Sequence, residues 1–229
     1  MKEISRRQFI IISSSLWLSY PLSKLFASSE ANQLNKKDLF PITIAVLNSA
    51  YRSELVAFEH YVGYSRKAVK EQYPNIAYLF AAFAVSEKTH AENYKRILTS
   101  LSKVLEEPEF EILISSTKTN LINASKGELE KINKTYPDFL AKLKKESHDK
   151  AVINCMYSWK SHRQHKRKIN EIQKYSKWFF GSMAKKIEGM KFDFHVCEIC
   201  GSTLDEAPKE PCVICNYPIL HYRKVKRPT

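Results

Sequence analysis

Six side chains near the middle of this 229-residue chain fall into two matching sets of carboxylates and imidazoles. Glu54 precedes Glu87-x-x-His90 by 33 residues, and Glu128 precedes His162-x-x-His165 by 34. Carboxylate and imidazole are ligands that iron, zinc and manganese take from proteins. Residues three apart on a helix share a face, so each i,i+3 pair can aim at one centre. If each interval folds as a helical hairpin of equal arms, its two ends return to the same depth. Taken singly, each residue reads as an ordinary solvated Glu or His. The repeat of the spacing in both halves makes a shared metal centre the economical reading.

Four of the five cysteines form a second constellation, Cys197-x-x-Cys200-Gly201 and Cys212-x-x-Cys215-Asn216, separated by eleven residues. Two such knuckles can share one tetrahedral ion, and Gly201 and Asn216 tolerate the positive φ that brings backbone N–H groups towards sulfur. Two disulfides are the alternative in an oxidising compartment, but paired Cys-x-x-Cys knuckles favour a metal. Iron and zinc take the same four-sulfur tetrahedron, and the sequence does not separate them. A module of about 35 residues needs its metal to stay folded. His195, Tyr217 and Tyr222 are expected to pack around it, and Cys155 to be a small buried hydrophobe.

The elements that must position these residues are helical. With 5 Gly and 9 Pro against 37 Lys+Arg and 24 Asp+Glu, the composition excludes a turn-rich sandwich and favours helices. Apolar residues recur at helical spacing over 41–71, with Ile44, Leu47, Tyr51, Leu55, Phe58 and Val62 on one side. Tyr73-Pro74 breaks that helix, and Pro74 opens a second one carrying Ile76, Leu79, Phe80, Phe83 and Ala84 to about residue 101. After a long connection a third helix starts near Thr119, passes Leu121, Ile122, Leu129 and Ile132, and should kink or break at Pro137. Ser147 or Asp149 can cap a fourth over 150–177, with Ile153, Met156, Tyr157 and Trp159 inward. Two hairpins joined by one long crossover give a mainly α protein, a ferritin-like four-helix bundle over 41–177. A linker over 178–192 would then lead to a small C-terminal metal knuckle domain over 193–229.

Residues 1–31 have the parts of an export signal: Lys2, Arg6 and Arg7, the uncharged run Gln8 to Ser23, then small residues around Ala27 to Ala31. Ser5-Arg6-Arg7-Gln8-Phe9-Ile10 looks like a twin-arginine signal, with 32–40 as a linker. The expected location is the periplasm, or the outer side of the inner membrane if the signal stays as an anchor. The formal net charge of +13 points to an anionic partner. Removing residues 1–31 takes away four basic and two acidic side chains, so the positive charge belongs to the remainder. The basic stretch Lys160 to Lys168, with Lys174, Lys177, Lys185 and Lys186 beyond it, reads first as a solvated face. As a docking surface it would suit an acidic electron carrier or anionic lipid, and export argues against nucleic acid.

Ser53-Glu54-x-x-Ala57-x-x-x-Tyr61, Glu87-x-x-His90-Ala91, Gly127-Glu128, Tyr136-Pro137-x-Phe139 and the cysteine knuckles resemble the rubrerythrin family over roughly residues 42–226. The resemblance implies a ferritin-like bundle plus a rubredoxin-like domain. It implies Glu54, Glu87, His90, Glu128 and His165 as metal ligands, with Glu87 as candidate bridge and Tyr61 and Tyr136 as phenols beside the metals. The implied activity is two-electron reduction of hydrogen peroxide at a pair of irons, fed by an electron-donor protein through iron in the rubredoxin-like four-cysteine site. The implied assembly is a homodimer in which the small domain of one subunit serves the bundle of the other.

Two positions depart from the family. His162 stands where a carboxylate is usual, and Lys131 where the family carries an extra carboxylate. Together they make the pocket about three charge units more positive, and one unit charge at ~5 Å is worth about 3 kcal/mol at an effective dielectric near 20. Either Lys131 turns outward, or the bundle holds one ion, holds two with hydroxide, or favours zinc. Three functions compete: a redox enzyme acting on peroxide or oxygen, a non-catalytic electron-transfer or metal-binding protein, and a zinc-ribbon interaction module.

Overall fold

The computed structural model describes residues 39–101, 109, 111–173 and 180–229. The expected export signal and most of the 32–40 linker lie outside the described residues. Helix α1 (Pro41–Lys70) and helix α2 (Pro74–Ser100) both begin with proline, which fits a first turn whose N–H has no helical partner. The next free amides are taken by glutamates from far along the chain. Ile42 and Thr43 donate to the Glu146 carboxylate at 2.9 and 2.7 Å. Asn75 and Ile76 donate to Glu188 at 2.8 and 3.2 Å. Helix α3 (Thr117–Glu130) is started by Ser116, whose Oγ accepts from the Thr119 amide, and by Glu71, which accepts from the Thr117 amide at 2.8 Å. In each case a negative charge meets the positive end of a helix and ties two elements together.

The expected break at Pro137 takes a specific form. Residues Lys131–Thr135 make one π-helical turn, closed by the Tyr136 amide donating to the Lys131 carbonyl five residues back. Pro137 then sits in the first turn of helix α4 (Tyr136–Leu143). A proline cannot donate to the carbonyl four residues before it, so the helix widens ahead of it. The Ile132 carbonyl in this wide turn accepts from Trp159 Nε1 at 2.9 Å. Helix α5 (Asp149–Gln173) completes the second hairpin. Its cap is neither Ser147 nor Asp149, because His148 Nδ1 accepts from the Ala151 amide at 3.2 Å.

Two expectations about what lies inside are corrected. Ile153 is 47% exposed, and the inner face of α5 is made instead by Ala151, Cys155, Ser158, Ser161, His162, His165 and Ile169. Ile122 and Leu129 of α3 are also exposed. The stretch 178–192 is no plain linker: helix α6 (Phe180–Glu188) lies in it, and Ala184 and Ile187 enter the core beside α2.

The C-terminal knob is a three-stranded antiparallel sheet, β1 (His195–Cys197), β2 (Thr203–Leu204) and β3 (Tyr222–Lys224), ordered β2-β1-β3. Phe192, Phe194, Val196 and Val225 join the same apolar cluster as Ile76, Phe80 and Phe83 of α2. Tyr78 donates to the Val225 carbonyl at 2.9 Å, and the Arg227 guanidinium lies 4.3 Å from the centre of its ring. Knob and bundle therefore share one core. No described helix is long and apolar enough to cross a membrane.

Glu146→Ala removes two capping bonds at once and should cost about 1–2 kcal/mol in urea unfolding. Glu210→Ala, at an exposed position without such a role, should change stability by less than about 0.5 kcal/mol.

Candidate metal centre

All six residues singled out by their spacing come together inside the bundle. Glu54, Glu87, His90, Glu128, His162 and His165 are each at most 1% exposed, although they come from four helices. Two overlapping sets have ligand atoms mutually within 4.8 Å: Glu54, Glu87, His90 and His162, and Glu87, Glu128, His162 and His165. Glu87 and His162 belong to both.

Lys131 points inward. It is 12% exposed on the side chain, and its Nζ donates to Glu54 Oε2 at 2.8 Å and lies 4.0 Å from Glu87 Oε2. Burial disfavours the charge, yet Glu54, Glu87 and Glu128 outweigh it and raise Lys131 above the ordinary lysine range. The outward-turned alternative is therefore not the one adopted. Tyr61 donates to Glu128 Oε1 at 2.6 Å and Tyr136 donates to Glu54 Oε1. Burial and the adjoining carboxylates raise both phenols, so both remain donors.

Glu54 and Glu128 stay ionised despite burial. Lys131 and His162 hold Glu54 well below the usual range, and His162 and His165 do the same for Glu128. Burial and Lys131 oppose a charge on His162, but Glu87, Glu54 and Glu128 together raise it to about 10. Burial opposes a charge on His165 too, and Glu128 with Glu87 raises it.

Two of the imidazoles are oriented by the knob. A carbonyl can only accept, so the 3.1 Å contact of His90 Nε2 with the Cys200 carbonyl puts the proton on Nε2 and turns Nδ1 to the centre. Thr203 Oγ1 spends its proton on the Gly201 carbonyl at 3.1 Å and can only accept from His165 Nε2 at 3.2 Å, which leaves His165 Nδ1 facing Glu87 and Glu128. Ser86 and Ser161 donate to the Gly201 carbonyl at 2.7 and 2.9 Å, and Asn93 donates to the Ile199 carbonyl at 2.8 Å. None of Ser86, Asn93, Ser161 or Thr203 stood out in the sequence. The one available signal was Gly201: a Cβ there would fall 2.3 Å from His90 Nε2.

In the knob the sulfurs of Cys197, Cys200, Cys212 and Cys215 surround one point. Sγ separations of 3.4 Å (Cys200–Cys212) and 3.8 Å (Cys197–Cys215) are far from the ~2.05 Å of a disulfide. They match the edge of a tetrahedron with ~2.3 Å metal–sulfur bonds, which is about 3.8 Å. Gly201 (φ 75°) and Asn216 (φ 59°) have the expected left-handed conformation. The four crowded thiols split: hydrogen bonds from Cys197 and Cys200 hold Cys212 far below its ordinary range, while Cys197, Cys200 and Cys215 are pushed above theirs. Tyr222 is buried against the cysteines and Tyr157 of α5 packs on them, whereas Tyr217 is 44% exposed. Cys155 is buried, as expected, and burial raises its thiol.

A cleft of about 330 Å³ leads from His60 and Leu113 at the surface to Tyr61, Glu128 and Lys131. A larger groove of about 630 Å³ along α1 and α2, lined by Leu55, Phe58 and Ala91, does not include the buried carboxylates or imidazoles. Of the two, the smaller one touches Glu128 of the centre.

Comparison with known proteins agrees with this architecture. The family model described as Rubrerythrin matches residues 45–173. Rubrerythrin-2 of Clostridium acetobutylicum is 29% identical over 76% of this chain and 92% of its own. Rubrerythrin-1 of the same organism is 30% identical over 77% and 90%. A solved structure of nigerythrin in a mixed-valence state is similar with a TM-score of 0.69 at 24% identity, over 80% of this chain and 86% of that one.

A metal taken up by His162 or His165 must displace the protons that the surrounding carboxylates keep on these imidazoles. Loading of the bundle at pH 7 should therefore release protons, and its affinity should rise with pH up to about 10, the value to which His162 is raised. Calorimetry in buffers of different ionisation enthalpy measures the release directly; a proton-neutral uptake would contradict the arrangement. Gly201→Ala combines a strained φ with the contact on His90 and should cost about 1–3 kcal/mol. The four-sulfur site should survive, and limited proteolysis between α6 and β1 should become faster.

Proposed function

The chain belongs to the rubrerythrin family, and from that premise we propose that this non-haem iron redox protein reduces peroxide or oxygen in its bundle, using electrons that enter through the cysteine knob. The observation that carries the proposal is the hydrogen bond from His90 Nε2 to the Cys200 carbonyl. One bond joins a residue of the four-sulfur site to an imidazole of the buried centre. Iron bound at the two sites would supply one-electron chemistry at each and a place for an oxidant to bind.

The chain's own residues supply the rest. Glu54, Glu87, Glu128, His90, His162 and His165 supply the candidate ligands of the bundle centre, and Cys197, Cys200, Cys212 and Cys215 would hold the metal of the knob. Reduction of hydrogen peroxide takes two electrons and two protons and yields two waters. The cleft ending at Tyr61 and Lys131 admits a molecule of that size and presents two proton-bearing groups. Tyr61 is anchored on Glu128 and Lys131 on Glu54, so both donors are fixed in place. Phe83 stacks on the His165 ring, with centroids 4.2 Å apart, and covers that face of the imidazole.

Knob and bundle of one chain touch through the bond from His90 to the Cys200 carbonyl, which supports a transfer within one chain. The exposed Lys160, Arg163 and Arg167 on α5 form a basic face on which an acidic electron carrier would dock. Export to the periplasm fits the first 31 residues of the sequence. Lys131 on Glu54 favours a second reading, an electron-transfer or metal-binding protein without turnover.

The two readings separate in one experiment. Protein purified from its native compartment is reduced without oxygen and mixed with one equivalent of peroxide while its visible spectrum is followed. The enzyme reading expects the ferric-thiolate bands of the knob to return within the mixing experiment. A bundle metal that stays reduced would rule out the enzyme, and a colourless zinc protein would exclude the redox function altogether.

A further inference from the structure

We propose that the bundle of this chain holds a single metal ion, on Glu87, Glu128, His162 and His165, and that the ammonium of Lys131 stands where the second ion of a paired centre would sit. The inference rests on the reading of the bundle as a metal centre and concerns how many ions it takes.

The two ligand sets differ in what their polar atoms already have. In the set of Glu54, Glu87, His90 and His162, Lys131 and Tyr136 already occupy both oxygens of Glu54. Glu54 Oε2 accepts from Lys131 Nζ at 2.8 Å, and Glu54 Oε1 accepts from Tyr136. Glu87 Oε2 lies 2.9 Å from His90 Nδ1, and the other nitrogen of His90 is used on Cys200. Lys131 Nζ and His90 Nδ1 both face the same two oxygens, Glu54 Oε2 and Glu87 Oε2. An ion entering that space would meet a fixed ammonium among its own ligands.

In the other set His162 Nδ1 lies 2.9 Å from Glu128 Oε2 and Tyr61 donates to Glu128 Oε1, but two atoms are left open. Glu87 Oε1 and His165 Nδ1 are buried atoms that make no hydrogen bond, and they face each other at 3.4 Å. Among the described residues the two further buried atoms in this state are hydroxyls of Thr43 and Thr117, neither of which belongs to either ligand set. A buried polar atom without a partner is costly, and two of them aimed at one point mark a place for a ligand. The spacing suits an ion. Glu87 Oε1 to His162 Nδ1 is 3.6 Å, and Glu128 Oε1 to His165 Nδ1 is 3.4 Å. A tetrahedron of nitrogen and oxygen ligands at ~2.1 Å has edges of about 3.4 Å.

Charge gives the same count. Lys131 neutralises Glu54, and the two remaining carboxylates, Glu87 and Glu128, with two neutral imidazoles balance one divalent ion. A second divalent ion would be an uncompensated buried charge beside an ammonium.

The test is a metal count on the full chain. Protein loaded anaerobically with excess ferrous iron and freed of unbound metal should carry two irons per chain, one in the knob and one in the bundle. Lys131→Glu, and Lys131→Met as the milder change, should each raise the content towards three. After oxidation the native bundle should give the paramagnetic resonance signal of an isolated ferric ion, and the Lys131→Glu bundle that of a coupled pair. Three irons per chain in the native protein would overturn the proposal. So would an unchanged count in both variants when their helical circular dichroism shows them folded. The count needs no turnover: two irons in a chain that ignores peroxide would refute the enzyme reading and leave this one standing.

Discussion

Glu54, Glu87 and Glu128 are carboxyl groups withdrawn from water into one chamber, and most of the molecule is arranged to answer them. Isolated carboxylates at this depth would take up protons or unfold the bundle. Here they are met by Lys131 and three imidazoles, with phenols from Tyr61 and Tyr136 filling lone pairs. The inner face of α5 is correspondingly small and polar where an ordinary bundle helix would be leucine-rich. Stability is then limited by how well the charges compensate one another, and a metal ion is the natural completion of a chamber whose Glu87 and His165 still hold unbonded atoms.

The same charges explain why the knob sits where it does. An imidazole serves a metal only if its other nitrogen is occupied. For His90 and His165 that partner comes from the loop 200–203, which follows the first cysteine knuckle directly. Ser86, Ser161 and Gly201 are small, which lets the loop backbone come within hydrogen-bond distance of α2 and α5. One contact surface thus holds the knob, fixes the ring orientation of two ligands and connects the two centres. Its cost is sensitivity: strain at Gly201 is felt at His90.

Much of this was legible in the sequence because it depends on regular geometry. A constant helical rise makes equal spacing between acidic and imidazole residues meaningful, and the knuckle spacing carries its own chemistry. What the sequence concealed has physical reasons. Glu71, Glu146 and Glu188 cap helices that are distant in sequence, and no local pattern marks them. Ile153 was expected inside because inward faces are usually apolar, and on α5 that rule is reversed by the chamber. Pro137 announced a break but not that the helix would widen ahead of it, which leaves the Ile132 carbonyl to Trp159. Lys131 could have turned either way, and the choice is made by Glu54, which lies 77 residues earlier.

The most direct measurement is a crystal of the iron-loaded chain with anomalous data collected at the iron edge. The account requires one peak among the four sulfurs of the knob and one among Glu87, Glu128, His162 and His165, with Lys131 still on Glu54. A bundle without an iron peak, or the six side chains turned to solvent, would contradict it.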